Sequence, residues 1–168
     1  MVFPLLNLLK ERRYMKIIIG SDDAAIELKE RLIKYIENKG HEIVDVEFDS
    51  NKNTFYADVA EKLSHQIADG NANRGILLCG TGIGMAITAN KIPGIRAAVS
   101  HDIYSLERMI KSNNCQVLCM GARIIAPESA EILVDRWLDI EFIDGPSTPK
   151  VKRIMEIEKM NRRNICKE

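Results

Sequence analysis

Gly75-Ile76-Leu77-Leu78-Cys79-Gly80-Thr81-Gly82-Ile83-Gly84 decides the architecture of this chain. An unbroken apolar run reads as a strand buried on both faces, and Cys79 closes it. A turn with three alternating glycines follows, then a helix-compatible segment. Such a turn offers bare backbone N–H groups and the positive end of a helix to whatever sits above the sheet. Its natural partner is an anion: a phosphate, or an oxygen that becomes negative during a reaction. A thiol at the same place adds a base or nucleophile beside that anion site. The pairing points toward an enzyme for a small anionic or enolisable molecule.

Outward from this stretch, strands and helices alternate. Met15 to Gly20 is strand-like. Ala24 to Asn38 has helical periodicity, with Leu28, Leu32, Ile33 and Ile36 on one face and Lys39-Gly40 ending it. Glu42 to Phe48 reads as a second strand, 49–53 as a polar loop and Tyr56 to Asp69 as a helix. After the Gly75–Cys79 strand come a helix over Gly84 to Lys91, a strand over Ile95 to Val99, and a helix over Asp102 to Lys111. A fifth strand, Gln116 to Met120, precedes a helix from Pro127 to about Asp139. Gly145-Pro146 breaks the chain, and Thr148 with Pro149 opens a last, charged helix.

This order predicts an α/β fold, a three-layer α/β/α sandwich around a five-stranded parallel, Rossmann-like sheet. Ligands in such sheets sit beyond the carboxyl ends of the strands. The segments expected there are Ser21-Asp22-Asp23, the loop before Tyr56, Cys79 to Gly84, Ser100-His101-Asp102 and Gly121 to Arg123. Residues 15–146 form the expected domain and 147–168 a C-terminal helix that packs on its own domain or on a second subunit. Residues 1–14 read as an extension outside the core, since a second methionine, Met15, opens the first strand.

Composition narrows the partners. In 168 residues, 24 Lys and Arg balance 24 Asp and Glu, so no bulk charge favours nucleic acid or a membrane surface. Aromatic residues are only 5%, too few for base-stacking platforms. The N-terminal apolar stretch is too short to span a bilayer, and its charges follow it, unlike a secretory signal. Four cysteines and three histidines match no common zinc pattern; Cys115 and Cys119 read as buried thiols and the compartment as a reducing cytoplasm. His41 and His65 read as ordinary histidines. No metal or cofactor is expected.

GSDDAA after the first strand, CGTGIG after the third, ANKIPGIRAA and SNNCQVLCMGARII resemble the ribose-5-phosphate isomerase B / galactose-6-phosphate isomerase family, from Met15 to about Val151. The resemblance implies a dimeric enzyme without metal that interconverts aldose and ketose phosphates at a site shared by two subunits. By that likeness Cys79 is the base that moves a proton between C1 and C2, and Thr81 assists proton traffic at the oxygens. Gly80, Gly82, Ile83 and Gly84 form the loop whose amides hold the enediolate oxygen. Asp22 contacts a substrate hydroxyl, Tyr56 lines the pocket, Asn113 reaches in from the neighbouring subunit, and Arg123 binds phosphate. The residue types suit the chemistry: a thiol beside a helix N-terminus is a usable base, and fixed backbone donors stabilise an oxyanion without reorganising.

The departures bear on substrate. Where the ribose enzymes carry His-Asn, with the histidine credited with ring opening, this chain has Ser112-Asn113. Asp22-Asp23 stands for Asp-His, and one late phosphate-binding arginine is lost while the other becomes Lys150, a point charge instead of a two-pronged fork. An aldotetrose esterified at O4 has no hydroxyl left to close a furanose, so its isomerase needs no ring-opening acid. The expected substrate pair is D-erythrulose 4-phosphate and D-erythrose 4-phosphate, and FYADVA together with Ser100 to Arg108 also resembles an erythrulose-4-phosphate isomerase branch. The alternatives are a pentose enzyme in which His101 opens the ring, and a galactose-6-phosphate isomerase-type subunit. His101, at the end of strand four, is expected to bind substrate, and plainer readings stand beside these: Cys79 as a buried thiol, Asp22 as a helix cap, His101 as a surface-loop histidine. A nucleotide-binding module is the rival of another class, since Gly80-x-Gly82-x-Gly84 with Asp102 downstream mimics a dinucleotide fingerprint.

Overall fold

The computed structural model describes residues 13–47 and 54–165. Phe48, the polar loop over 49–53, Cys166 and residues 1–12 of the expected extension lie outside this range. The chain runs β1 (Lys16–Ser21), a 3₁₀ turn (Asp23–Ala25), α1 (Ile26–Asn38), β2 (Glu42–Val46), α2 (Tyr56–Ala68), β3 (Arg74–Cys79) and α3 (Ile83–Ala89). It continues β4 (Ala97–Val99), α4 (Ile103–Lys111), β5 (Val117–Gly121), α5 (Pro127–Asp139) and α6 (Thr148–Ile165). Among the described residues the strands form one parallel sheet in the order β2-β1-β3-β5-β4. The expected α/β/α sandwich is therefore present.

Strand parity builds its two cores. Ile17, Ile19, Ile76, Leu78, Leu118 and Met120 point into one layer, where Leu32 and Ile36 of α1, Leu106 of α4 and Trp137 of α5 meet them. Ile18, Leu77, Cys79, Val117 and Cys119 point the other way, onto Val59 and Leu63 of α2 and Met85 and Ala89 of α3. Apolar residues at every strand position are what a sheet covered on both sides requires. The parity of β3 also fixes the thiol: Cys79 belongs to the layer that holds α3.

Several boundaries differ from expectation by one or two residues, and for two of them the hydrogen bonds give the local reason. β4 starts at Ala97 instead of Ile95, because the Ile95 amide closes a turn onto Ile92 O (3.1 Å) and the Arg96 amide donates to the side chain of Gln116 (2.9 Å). α3 ends at Ala89, where Asn90 donates to Ala86 O and Ala97 O and accepts from the Ala97 amide, tying the helix end to β4.

At the sheet's amino edge Arg74, the first residue of β3, donates to the carbonyls of Trp137 in the last turn of α5 and Ile140 just after it. Its guanidinium lies 5.3 Å from the Trp137 ring centroid, and burial pushes it down to about 10. α6 stays at that edge. Glu158 accepts from the Gly94 amide at 3.0 Å, and Arg96 meets the sulfur of Met155 at 3.1 Å, both just before β4. Ile154, Ile157 and Met160 of α6 face outward and are more than 40% exposed.

Leu32 is fully buried between α1 and the sheet. Leu32→Ala should cost about 2–5 kcal/mol with an unchanged denaturant slope, read from urea unfolding. A loss below about 1 kcal/mol would contradict this account of the core.

Candidate active site

At the carboxyl end of β3 the chain turns through Gly80 to Gly82 into α3. Gly82 has φ 80° and ψ −14°, the left-handed region, and acts as the N-cap of α3. That turn aims the Gly82 amide back at the strand, where it donates to Cys79 Sγ at 3.0 Å. Cys79 retains 6% exposure. An N–H dipole thus points at the sulfur. The Ile83 amide donates to Thr81 Oγ1 at a long 3.4 Å. Two of the amides expected to cradle an oxyanion are, in the isolated chain, turned toward the site's own side chains.

The neighbouring segments close on this turn. An ideal Cβ on Gly80 would lie 3.5 Å from Cδ, Nε and Cζ of Arg123, so that guanidinium runs along the loop. The Ala122 amide donates to Cys79 O (2.8 Å) and the Arg123 amide to Gly80 O (3.1 Å). Gly121 approaches so closely that a Cβ there would sit 2.5 Å from Thr81 Cα and 2.9 Å from Gly80 O. Tyr56, at the start of α2, lies on Gly84, whose Cβ would meet its ring at 2.6 Å.

Asp22 follows β1. Its amide donates to Leu78 O (3.2 Å), and its carboxylate accepts from the Ala24 amide (3.1 Å), so it caps the 3₁₀ turn as the plain reading expected. Burial pushes this carboxyl above the usual carboxylate range; the Ala24 amide pulls it down, Asp23 raises it and the Arg123 charge lowers it. Asp22 and Arg123 therefore share one electrostatic neighbourhood. Asp23 itself is exposed. His101, after β4, is half-buried and accepts from the Gly121 amide through Nε2 at 2.8 Å. Burial pushes its imidazole below the ordinary value, against an opposing pull from Asp102. Asp102 accepts from the Ser105 amide at 2.8 Å as the N-cap of α4, a role that accounts for it without a nucleotide.

Cys79, Thr81, Gly80, Gly82, Ile83, Gly84, Asp22, Tyr56, His101 and Arg123 thus gather at the sheet's carboxyl edge. Asn113 and Lys150 do not join them within the chain. Asn113 follows α4, donates to Arg108 O (3.1 Å) and offers its own carbonyl to Arg96 at the amino edge. Lys150 lies exposed in the first turn of α6, beside that same edge. Gly121 falls in the edge segment that sequence places there, but its role against Thr81 comes from the structure; it ends the strand paired with the Cys79 strand.

Cys115 and Cys119 are buried and free, as expected, and burial pushes the Cys115 thiol up to about 11. Among the described residues no cluster of three or more His, Cys, Asp or Glu side chains is arranged to hold a metal ion, and no helix is long and apolar enough to cross a membrane. A cavity of about 700 Å³ opens between the first turns of α1 and α5, lined by Asp23, Glu27, Arg31 and Pro127 among others. Cys79 does not line it, but Asp23 and Ala122 do, which sets the cavity beside Asp22 and Arg123.

A parallel three-layer sandwich with a thiol, a glycine turn and an arginine at its carboxyl edge defines a class of small-anion enzymes; comparison with known proteins specifies which. The family model described as Ribose/Galactose Isomerase matches residues 17–154, and the chain belongs to that family. It is 52% identical over 141 residues to the D-erythrulose-4-phosphate isomerase of Pectobacterium atrosepticum, covering 83% of this chain and 93% of the relative. It is 48% identical over 148 residues to the ribose-5-P isomerase B of Listeria innocua, covering 88% and 100%. Among solved structures, ribose-5-phosphate isomerase B of Clostridium thermocellum superposes with a TM-score of 0.83 at 37% identity, covering 88% of this chain and 99% of that one. The protein is accordingly an enzyme of the aldose–ketose isomerase class acting on a sugar phosphate.

A methyl group at Gly121 would strike backbone atoms that have no free rotation to escape it. Gly121→Ala should lower kcat by about 100-fold. It should also destabilise by about 1–3 kcal/mol, with turnover and urea midpoints as the two readouts. Near wild-type turnover would mean that the turn can open without consequence.

Proposed function

We propose that this chain interconverts D-erythrulose 4-phosphate and D-erythrose 4-phosphate through an enediolate, with Cys79 as the base. The observation carrying this reading is the Gly82 amide on Cys79 Sγ at 3.0 Å, in a turn along which the Arg123 guanidinium lies. The open-chain ketose phosphate lies at the sheet's carboxyl edge with its phosphate at Arg123. The Cys79 thiolate takes a proton from C1, and the electron pair forms the C1–C2 double bond as the C2 carbonyl oxygen becomes negative. Backbone amides from Gly80 to Gly84 stabilise that oxygen, which needs the Ile83 amide to exchange its long bond to Thr81 for one to substrate. Thr81 passes a hydroxyl proton from O1 to O2, and Cys79 returns its proton to C2, leaving the aldehyde at C1. Asp22 and Tyr56 hold the remaining hydroxyls.

The site is completed, on this reading, by a second copy of the chain in a homodimer. Asn113 and Lys150 sit at the edge opposite Cys79, so their contribution to chemistry requires another subunit. The exposed Ile83 and Ile87 on α3, and the Ile154, Ile157 and Met160 stripe on α6, supply apolar surface for it. Lys150 then brings a second positive charge to the phosphate from the partner. The two-cation phosphate site is what a single Arg123 lacks.

Two features support a four-carbon substrate. The relative at 52% identity carries that name, and Ser112 supplies no ring-opening acid beside Asn113. The 48% relative supports ribose 5-phosphate instead, so kcat/KM on both substrates decides: the tetrose should be preferred, and ribose 5-phosphate performing equally well would refute the assignment. Cys79→Ala should abolish exchange of the carbon-bound proton with solvent deuterium, followed by NMR, while substrate binding persists. Exchange near the wild-type rate in that variant would remove Cys79 from the mechanism.

A further inference from the structure

The bond between His101 and Gly121 reaches further than one loop. A backbone N–H only donates, so the 2.8 Å contact makes His101 Nε2 a lone-pair acceptor and places the neutral ring's proton on Nδ1. The register explains why a side chain is needed there. Val99 pairs with Cys119 as the last matched pair of β4 and β5, and the Ser100 amide donates to Cys119 O at 3.1 Å. Continuing the parallel pattern would send the Gly121 amide to the Ser100 carbonyl. The chain instead leaves the sheet: Ser100 Oγ donates to Asp102 O at 3.0 Å, and Asp102 caps α4. The imidazole takes the amide that the departing strand leaves behind.

That amide belongs to the residue pressed against Thr81. The next two amides hold Cys79 O and Gly80 O. One side-chain hydrogen bond therefore sets the height of a segment that touches the residue carrying the thiol, the hydroxyl residue and the arginine. We infer that His101 is a positioning residue of this active site, acting as a neutral acceptor for the Gly121 amide and holding the end of β5 under the Cys79–Gly84 turn. This rests on the isomerase reading above for its catalytic consequence, but the bond itself does not. It also removes Nε2 from proton transfer at the sugar ring: while that nitrogen accepts from the backbone it has no proton to give, and only Nδ1–H could act as an acid.

Nitrogen-15 NMR of the wild-type protein should show His101 as the Nδ1–H tautomer, and hydrogen exchange should show a protected Gly121 amide. An Nε2–H tautomer or a freely exchanging Gly121 amide would overturn the inference without any variant. In kinetics on D-erythrulose 4-phosphate, His101→Ala should lower kcat by roughly 10- to 100-fold with little change in KM. His101→Gln, whose amide oxygen can accept from Gly121 but cannot act as an imidazole acid, should recover most of that loss. A glutamine variant that melts like wild type yet is as impaired as the alanine variant would overturn positioning. So would a defect confined to ribose 5-phosphate, the signature of ring opening. Absence of turnover by the wild type on every four- to six-carbon sugar phosphate would sink the isomerase reading alone, and the NMR arm would still decide the bond.

Discussion

Everything at this site depends on where β3 stops and which way its last side chain points. Alternate residues of a strand face opposite layers, so Leu77 and Cys79 must enter the layer that holds α3. The chain then has three residues in which to reverse onto the first turn of that helix. The left-handed Gly82 allows it, and its amide lands on the sulfur. A shift of one residue in β3 would send the thiol into the opposite layer, among Leu118, Met120 and Trp137, away from the Gly82 amide. The pairing of thiol and amide is thus a consequence of strand parity together with one glycine conformation.

The same edge logic separates what one chain can do from what it cannot. In a parallel sheet every carboxyl end lies on one side, and loops that return to the amino side carry their residues away. Asp22, Tyr56, Cys79, His101 and Arg123 all follow strand ends or open the helices beyond them. Asn113 and Lys150 follow helices α4 and α5 instead, and so sit opposite. Arg74 reinforces that division by pinning the end of α5 to the start of β3, from which α6 departs. A site drawing on both groups must be built between two chains.

Much of this was legible in the sequence because the signals were strong and local. Uninterrupted apolar runs bounded by glycine located the strands, and the pairing of CGTGIG with ANKIPGIRAA located the site. Asp22 as a cap followed from ordinary helix chemistry. The start of β4 was not legible, because Ile95 and Arg96 are extended-compatible residues whose amides are claimed by Ile92 and by the Gln116 side chain. Nor was Gly121: its importance lies in its contact with Thr81, forty residues away in sequence, which no local pattern encodes. His101 was visible as a histidine at a strand end, but the direction of its hydrogen bond depends on where β4 leaves the sheet. Sequence periodicity reports which face a residue takes; it does not report which backbone group loses its partner when a strand diverges.

That distinction bears on how such a site can change substrate without changing its chemistry. The groups around the Cys79 thiol are held by backbone: the Gly82 amide, the Gly121–Thr81 contact and the amides on Cys79 O and Gly80 O. Side-chain replacement elsewhere leaves those bonds in place. The groups that differ from the resembled pattern, Asp23, Ser112 and Lys150, are all outside that backbone set, and two of them lie at the opposite edge. If Cys79 is the base, an unchanged thiol and turn move the proton between adjacent carbons, while residues delivered from elsewhere read the length and ring state of the sugar. On the reading proposed here, losing a ring-opening acid carries no catalytic cost for a four-carbon phosphate, because that substrate never closes the ring.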